Sequence, residues 1–157
     1  MNKKYYIVND EILKSLNFIH LLFSIIRVII YIGDNMKYEY YYIEDSNGKS
    51  NCIIRSLCKI FNLSYEEVFN ELCNIQKKLY KDSYTDIEVF ETYMKNKGMK
   101  ELDISNIKVK DLKLDNNSYI VFCYDKKDWY HMIPIIDNTI YDKSNECLEL
   151  EVIKVYK

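Results

Sequence analysis

Two residue types in this chain can do covalent or proton-transfer chemistry near neutral pH, and one of them is scarce. There are five cysteines, at 52, 58, 73, 123 and 147, and two histidines, at 20 and 131. Cys52 stands where a polar turn becomes an apolar helix, in "GKSNCIIRSLCKIF" (48–61). In the first turn of a helix the dipole and the unpaired backbone N–H groups favour a thiolate. The same N–H groups can hold the oxyanion of an acyl-transfer transition state. A thiol nucleophile also needs a base, and a polar group to orient that base. His131 lies in "DWYHMIPIIDNTIYD" (128–142), which reads as a strand, a tight turn and a second strand. Alternation puts His131, Ile133 and Ile135 on one face, and Tyr130, Met132, Pro134 and Ile136 on the other. Asp137 and Asn138 form the turn, and the returning strand brings Asp142 beside His131. Asp142 is therefore the preferred orienting carboxylate, with Asp137, held in the turn itself, second.

Each of these residues has a simpler reading when taken alone. A buried cysteine is a small apolar side chain, a strand histidine is a hydrogen-bonded core residue, and aspartates populate turns. The ordered combination is what points to thiol chemistry: a Cys at a helix start, a His on a later strand, an Asp across a tight hairpin. Cys58, one and a half turns after Cys52, reads as core packing. Five cysteines without a C-x-x-C spacing argue against a disulfide scaffold and a structural zinc site, and fit reduced thiols in a cytoplasm. A formal net charge of −2 gives no reason to expect a nucleic-acid partner. No metal and no cofactor is expected. The many Ile, Lys, Asn and Tyr residues reflect a compositional bias, so lone surface residues of these types carry little weight.

The elements that must position these groups follow from periodicity and caps. "KYEYYYIE" (37–44) is a short strand or extended lead-in, and "DSNGKS" (45–50) is a turn. Ile53, Ile54, Leu57, Cys58, Ile60 and Phe61 keep helical spacing, with Ser50 as the N-cap. "LSYEEVFNELCNIQKKLY" opens with Ser64 and Glu67, a capping box, and "YTDIEVFETYMKNKG" repeats the device with Thr85 and Glu88 before ending at Gly98. The rest is strand-like: "KELDI" (100–104), the continuous apolar run "SYIVFCY" (118–124), "WYHMIPII" (129–136), "TIYD" (139–142) and "CLELEVIKVYK" (147–157). A segment over "NIKVKDLKLD" holds a short helical turn. Pro134 places its strand at an edge or a bulge at that point. Helices followed by an antiparallel sheet make an α+β domain.

Residues 16–33, "LNFIHLLFSIIRVIIYIG", stand apart as an apolar run broken by His20 and Arg27. A spanning helix needs about 20 apolar residues, and a mid-helix Arg costs roughly 2.5–3.5 kcal/mol on insertion scales. Asp10 and Glu11 precede the run and no small-residue cleavage site follows, so it is a poor signal peptide. A buried or interfacial helix is favoured over membrane association. Two regions result: an apolar helical extension over 1–35, for which Met36 offers an alternative start, and a domain over 36–157.

The motifs "NCIIRSLCKIFNLSYEEVFNEL" (51–72), "IEVFETYMKNKGMK" (87–100) and "YHMIPIIDNTIYD" (130–142) resemble the papain-like cysteine peptidases. More narrowly, residues 36–157 are similar to small peptidase-like domains of Firmicutes and their phages. In the papain fold the nucleophile opens the central helix, the His follows on a sheet strand, and an Asn or Asp follows on the next strand. The resemblance thus implies Cys52 as nucleophile, His131 as base and Asp142 as its orienter, in a thiol hydrolase cleaving a peptide or isopeptide bond of a peptide or protein substrate. The family often carries a Gln before the Cys as oxyanion donor; this chain offers Asn47, or alternatively Asn51, whose side chains are shorter. Arg55 reads as an ion-pairing structural residue. A non-catalytic binding module on the same fold, such as a phage or mobile-element accessory protein, is the competing expectation.

Overall fold

Strand β1 (Lys37–Tyr40) comes first, then helices α1 (Cys52–Phe61), α2 (Tyr65–Lys78) and α3 (Ile87–Asn96). Strands β2 (Glu101–Leu102), β3 (Ser118–Asp125), β4 (Trp129–Ile136), β5 (Thr139–Asp142) and β6 (Glu151–Tyr156) follow. This computed structural model describes residues 36–45, 48, 50–125 and 129–157. The apolar extension over 1–35, with its run at 16–33, and Asn47 lie outside the described residues. Among the described residues no helix is long and apolar enough to cross a membrane.

The architecture is α+β, three helices on a six-stranded sheet ordered β1-β5-β4-β3-β6-β2. The sheet is mixed rather than antiparallel, and one of its strands precedes the helices. β1 pairs β5 in parallel, Tyr38 opposite Ile140 and Tyr40 opposite Asp142. Four residues with only Tyr38 turned partly inward carry no local mark of strand direction. That direction is set by where the chain returns, which periodicity does not report.

β3 is apolar from Tyr119 to Cys123, where both its faces are covered. Ile120 and Phe122 pack with Met132 under Ile54, Leu57, Val68, Leu72, Phe90 and Met94 of the helices. Val121 and Cys123 face the other way, with Ile133, Ile135, Ile140, Val152 and Val155. Burial of this kind, at about 25 cal/mol per Å² of apolar surface, is the main term holding helices to sheet.

The helix ends show which cap signals were specific. Ser64 and Glu67 do form the capping box of α2. The cap of α1 is Asn51, not Ser50: Asn51 Oδ1 accepts from the N–H groups of Ile53 at 2.8 Å and Ile54 at 3.4 Å. Ser50 Oγ instead donates to the Ile43 carbonyl at 2.7 Å. Likewise α3 is capped by Asp86, whose Oδ1 accepts from Glu88 N–H, while Thr85 N–H turns to Ser83 Oγ. In both cases neighbouring residues are all competent caps, and the one whose side chain reaches the second or third N–H wins. Gly98 ends α3 as expected, at φ +82, where a side chain would be strained. The expected strand over 147–157 begins later, because Ser144 caps a 3₁₀ turn at Asn145–Glu149 before β6 starts.

Candidate active site

Pro134 is the residue from which the site is best built. Asp137 and Asn138, both at positive φ, close the tight turn between β4 and β5. β5 then pairs with β4 only at Ile136–Thr139 and Ile135–Ile140. The polar backbone groups of Ile136, Pro134 and Met132 point by alternation towards the β5 side. Proline has no N–H, so the next rung of that ladder loses one of its two hydrogen bonds, and the pairing with β5 stops there. β4 lies inside the sheet, yet it is an edge locally beyond Pro134, and Met132 is left with a free N–H and C=O.

Helix α1 takes both. Ser56 Oγ donates to the Met132 carbonyl at 2.7 Å, and the Met132 N–H donates to the sulfur of Cys52. Cys52 and Ser56 are one turn apart on one helix face, so a single residue of β4 sets the register of α1 against the sheet. His131 precedes Met132, and its ring hydrogen-bonds the Cys52 sulfur. Nε2 of His131 faces Asp142 Oδ2 in a short hydrogen bond, which leaves Nδ1 for the thiol. Asp142 Oδ1 accepts from Arg55 Nη2 at 2.7 Å and from the Lys143 N–H at 2.6 Å. The Cys147 thiol also reaches Asp142.

Burial makes these contacts count. His131 is 6% exposed, Arg55 2% and Asp142 1%. Burial, the largest single influence on Cys52, would raise its pKa. The hydrogen bond and charge of His131, the Met132 N–H and the charge of Arg55 outweigh it and bring the thiol below its ordinary value. Burial would lower His131, but the hydrogen bonds to Asp142 and Cys52 push it up to about 9. Burial would raise Asp142; His131, Arg55 and the Lys143 N–H hold it below the usual carboxylate range. Cys58 goes the other way, to about 11, as does Cys147, to about 12, and Cys123 rises well above the ordinary range, all by burial. Among these four, the thiol facing the imidazole is the one that becomes more acidic.

The first turn of α1 leaves one backbone donor open beside the Cys52 sulfur. Asn51 Oδ1 occupies the Ile53 and Ile54 N–H groups, which leaves the Cys52 N–H, claimed neither by that cap nor by the helix. Asn51 keeps only its Nδ2 for donation. Beside Cys52 lies a pocket of about 290 Å³ lined by Ile53, Phe90, Phe122, Tyr130 and Met132. Half-exposed Tyr130 stacks on Phe122 there, with centroids 5.2 Å apart and planes 15° from parallel. A second cavity, about 850 Å³, opens beyond His131 and Asp142 and is lined by Tyr124, Ser144, Cys147 and Glu146. His131 borders both.

The structure thus brings Cys52, His131 and Asp142 together. Asp137 is not brought in: it stays exposed in the turn, at the opposite end of β5 from Asp142. Asn47 lies outside the described residues, and Asn51 sits beside Cys52 as its helix cap. Arg55 is ion-paired, and its partner is Asp142 itself. Ser56 and Cys147 were not singled out from the sequence. Ser56 carried one usable signal, a hydroxyl on the apolar face of a short helix, where it must find a buried acceptor. No protein-family model, curated protein or solved structure matches this chain.

Proposed function

We propose that residues 36–157 form a papain-like thiol hydrolase that cleaves an amide bond, in a peptide or isopeptide, through a Cys52–His131–Asp142 triad. The observation that carries this reading is the continuous hydrogen-bonded line from the Cys52 sulfur through the His131 ring to the Asp142 carboxylate, on α1, β4 and β5. The acidified Cys52 thiol supports it, since thiolate is the attacking form.

In this reading Asp142 holds His131 in the tautomer with Nε2 protonated, and Nδ1 takes the thiol proton. The Cys52 sulfur attacks the scissile carbonyl, and the oxyanion is met by the Cys52 N–H and by the side-chain amide of Asn51. His131 returns the proton to the leaving amine, giving an acyl-enzyme. A water deprotonated by His131 then attacks the thioester and frees the carboxylate and the thiol. A reducing compartment such as the cytoplasm suits a catalytic thiol of this kind.

The test is incubation of the native protein and Cys52→Ala with a panel of peptide and isopeptide amides, read by mass spectrometry. A substrate-dependent acyl adduct on Cys52, absent from the variant, supports the proposal. Failure to cleave any amide, together with equal electrophile reactivity at all five cysteines, would leave a non-catalytic module on the same fold.

A further inference from the structure

Arg55 lies three residues after Cys52 and is 2% exposed, as deeply buried as the carboxylate it meets. A buried ion pair is poor value for stability, because desolvating two charges roughly cancels their attraction. The guanidinium is also incompletely satisfied. Nη2 bonds Asp142 at 2.7 Å and Nη1 reaches Ser50 Oγ at 3.4 Å, while Nε is buried without a partner. A buried donor left unpaired costs stability, and such departures concentrate where geometry serves something else.

The two oxygens of Asp142 have separate tasks. Oδ1 receives Arg55 Nη2 and the Lys143 N–H; Oδ2 receives His131 Nε2. With Oδ1 held from two directions the carboxylate cannot rotate, and a fixed Oδ2 fixes the imidazole plane. Asp142 is faced by Arg55 from α1, His131 from β4, Tyr38 from β1 and Cys147 from the 3₁₀ turn. Of these Arg55 is the only permanent cation.

We propose that Arg55 is a positioning residue: it locks the Asp142 carboxylate so that Oδ2 orients His131 towards Cys52. This deepens the reading of residues 36–157 as a thiol hydrolase and rests on it. One short helix then carries the nucleophile at its first residue, the Asp142 anchor at Arg55 and the β4 anchor at Ser56. The nucleophile and the orienting acid are set by the same rigid element, so they cannot drift independently.

Two readouts on native protein, Arg55→Lys and Arg55→Met test this, with folding followed by circular dichroism. The first is the ¹⁵N spectrum of the His131 ring recorded above the pH of about 9 at which it loses its proton, where it reports the tautomer of the neutral ring whether or not the protein has activity. The second is the pH dependence of Cys52 alkylation by iodoacetamide. In Arg55→Met the ring should move to a mixture of tautomers, and the Cys52 limb should rise by about one pH unit or more. Arg55→Lys keeps the charge without the fork, and both signals should fall between native and Met. Should Arg55→Met fail to fold, Arg55→Lys alone decides. A folded variant with native ring resonances and a native limb overturns the proposal. A native protein whose Cys52 shows no acidified limb would fail the hydrolase reading instead, and the ring spectrum would still judge Arg55.

Discussion

Replacing Asp142 by Ala removes a carboxylate that serves four donors at once: Arg55, His131, the Lys143 N–H and Cys147. The dominant consequence is the stranding of the Arg55 charge, because both members of that pair have side chains only 2% exposed. Removing one partner of a buried pair costs about 3–5 kcal/mol, a large share of the roughly 5–15 kcal/mol that holds a domain together. With m of about 1.5 kcal/mol/M, urea unfolding at neutral pH should show the midpoint falling by roughly 2–3 M. Arg55→Met/Asp142→Leu removes both charges and fills the space, so it should recover most of that loss. The effect also has a sign in pH. Asp142 is held below its ordinary value, so its contribution is present above the unfolded carboxylate range and is lost as pH falls through the folded value. The native and Ala proteins should therefore converge in strong acid. A loss under about 1 kcal/mol, or a double variant no better than the single one, would refute the claim that this pair is desolvated.

Further outcomes follow from the same geometry. Amide hydrolysis needs a thiolate and a protonated imidazole, so activity should rise through the depressed Cys52 value and fall as His131 loses its proton at about 9; a stopped-flow pH–rate profile reads both limbs. Ser56→Ala leaves the buried Met132 carbonyl without its donor and should cost about 1–3 kcal/mol in urea unfolding, with a loss of Cys52 reactivity. Asn51→Ala removes the α1 cap and should cost about 0.5–2 kcal/mol, which thermal unfolding measures, whereas Asn51→Asp should keep most of that stability.

Much of the site was legible because strand alternation and a two-residue turn are local. Alternation put His131 with Ile133 and Ile135, and the Asp137–Asn138 turn returned Asp142 to the imidazole. Pro134 correctly marked an interrupted ladder, although β4 is interior: the edge exists only beyond Ile135. What was not legible depends on the chain meeting itself. The parallel pairing of β1 with β5 is a long-range choice, so the sheet was expected to be antiparallel and is mixed. The role of Ser56 required knowing which backbone carbonyl Pro134 leaves free. Arg55 was read as ion-paired, but its partner, 87 residues away, is visible only in the fold. The caps of α1 and α3 fall one residue after Ser50 and Thr85, because each of these is followed by an equally good cap, Asn51 or Asp86.

The central claim is that Cys52 is made nucleophilic by His131, and competitive alkylation tests it most directly. Native protein and His131→Ala are treated with limiting iodoacetamide near neutral pH, and labelling of each cysteine is followed by peptide mapping. Cys52 should be labelled well before the buried, weakly acidic Cys58, Cys123 and Cys147, and that lead should shrink when His131 is replaced. Labelling of Cys52 at the same rate in both proteins would contradict it.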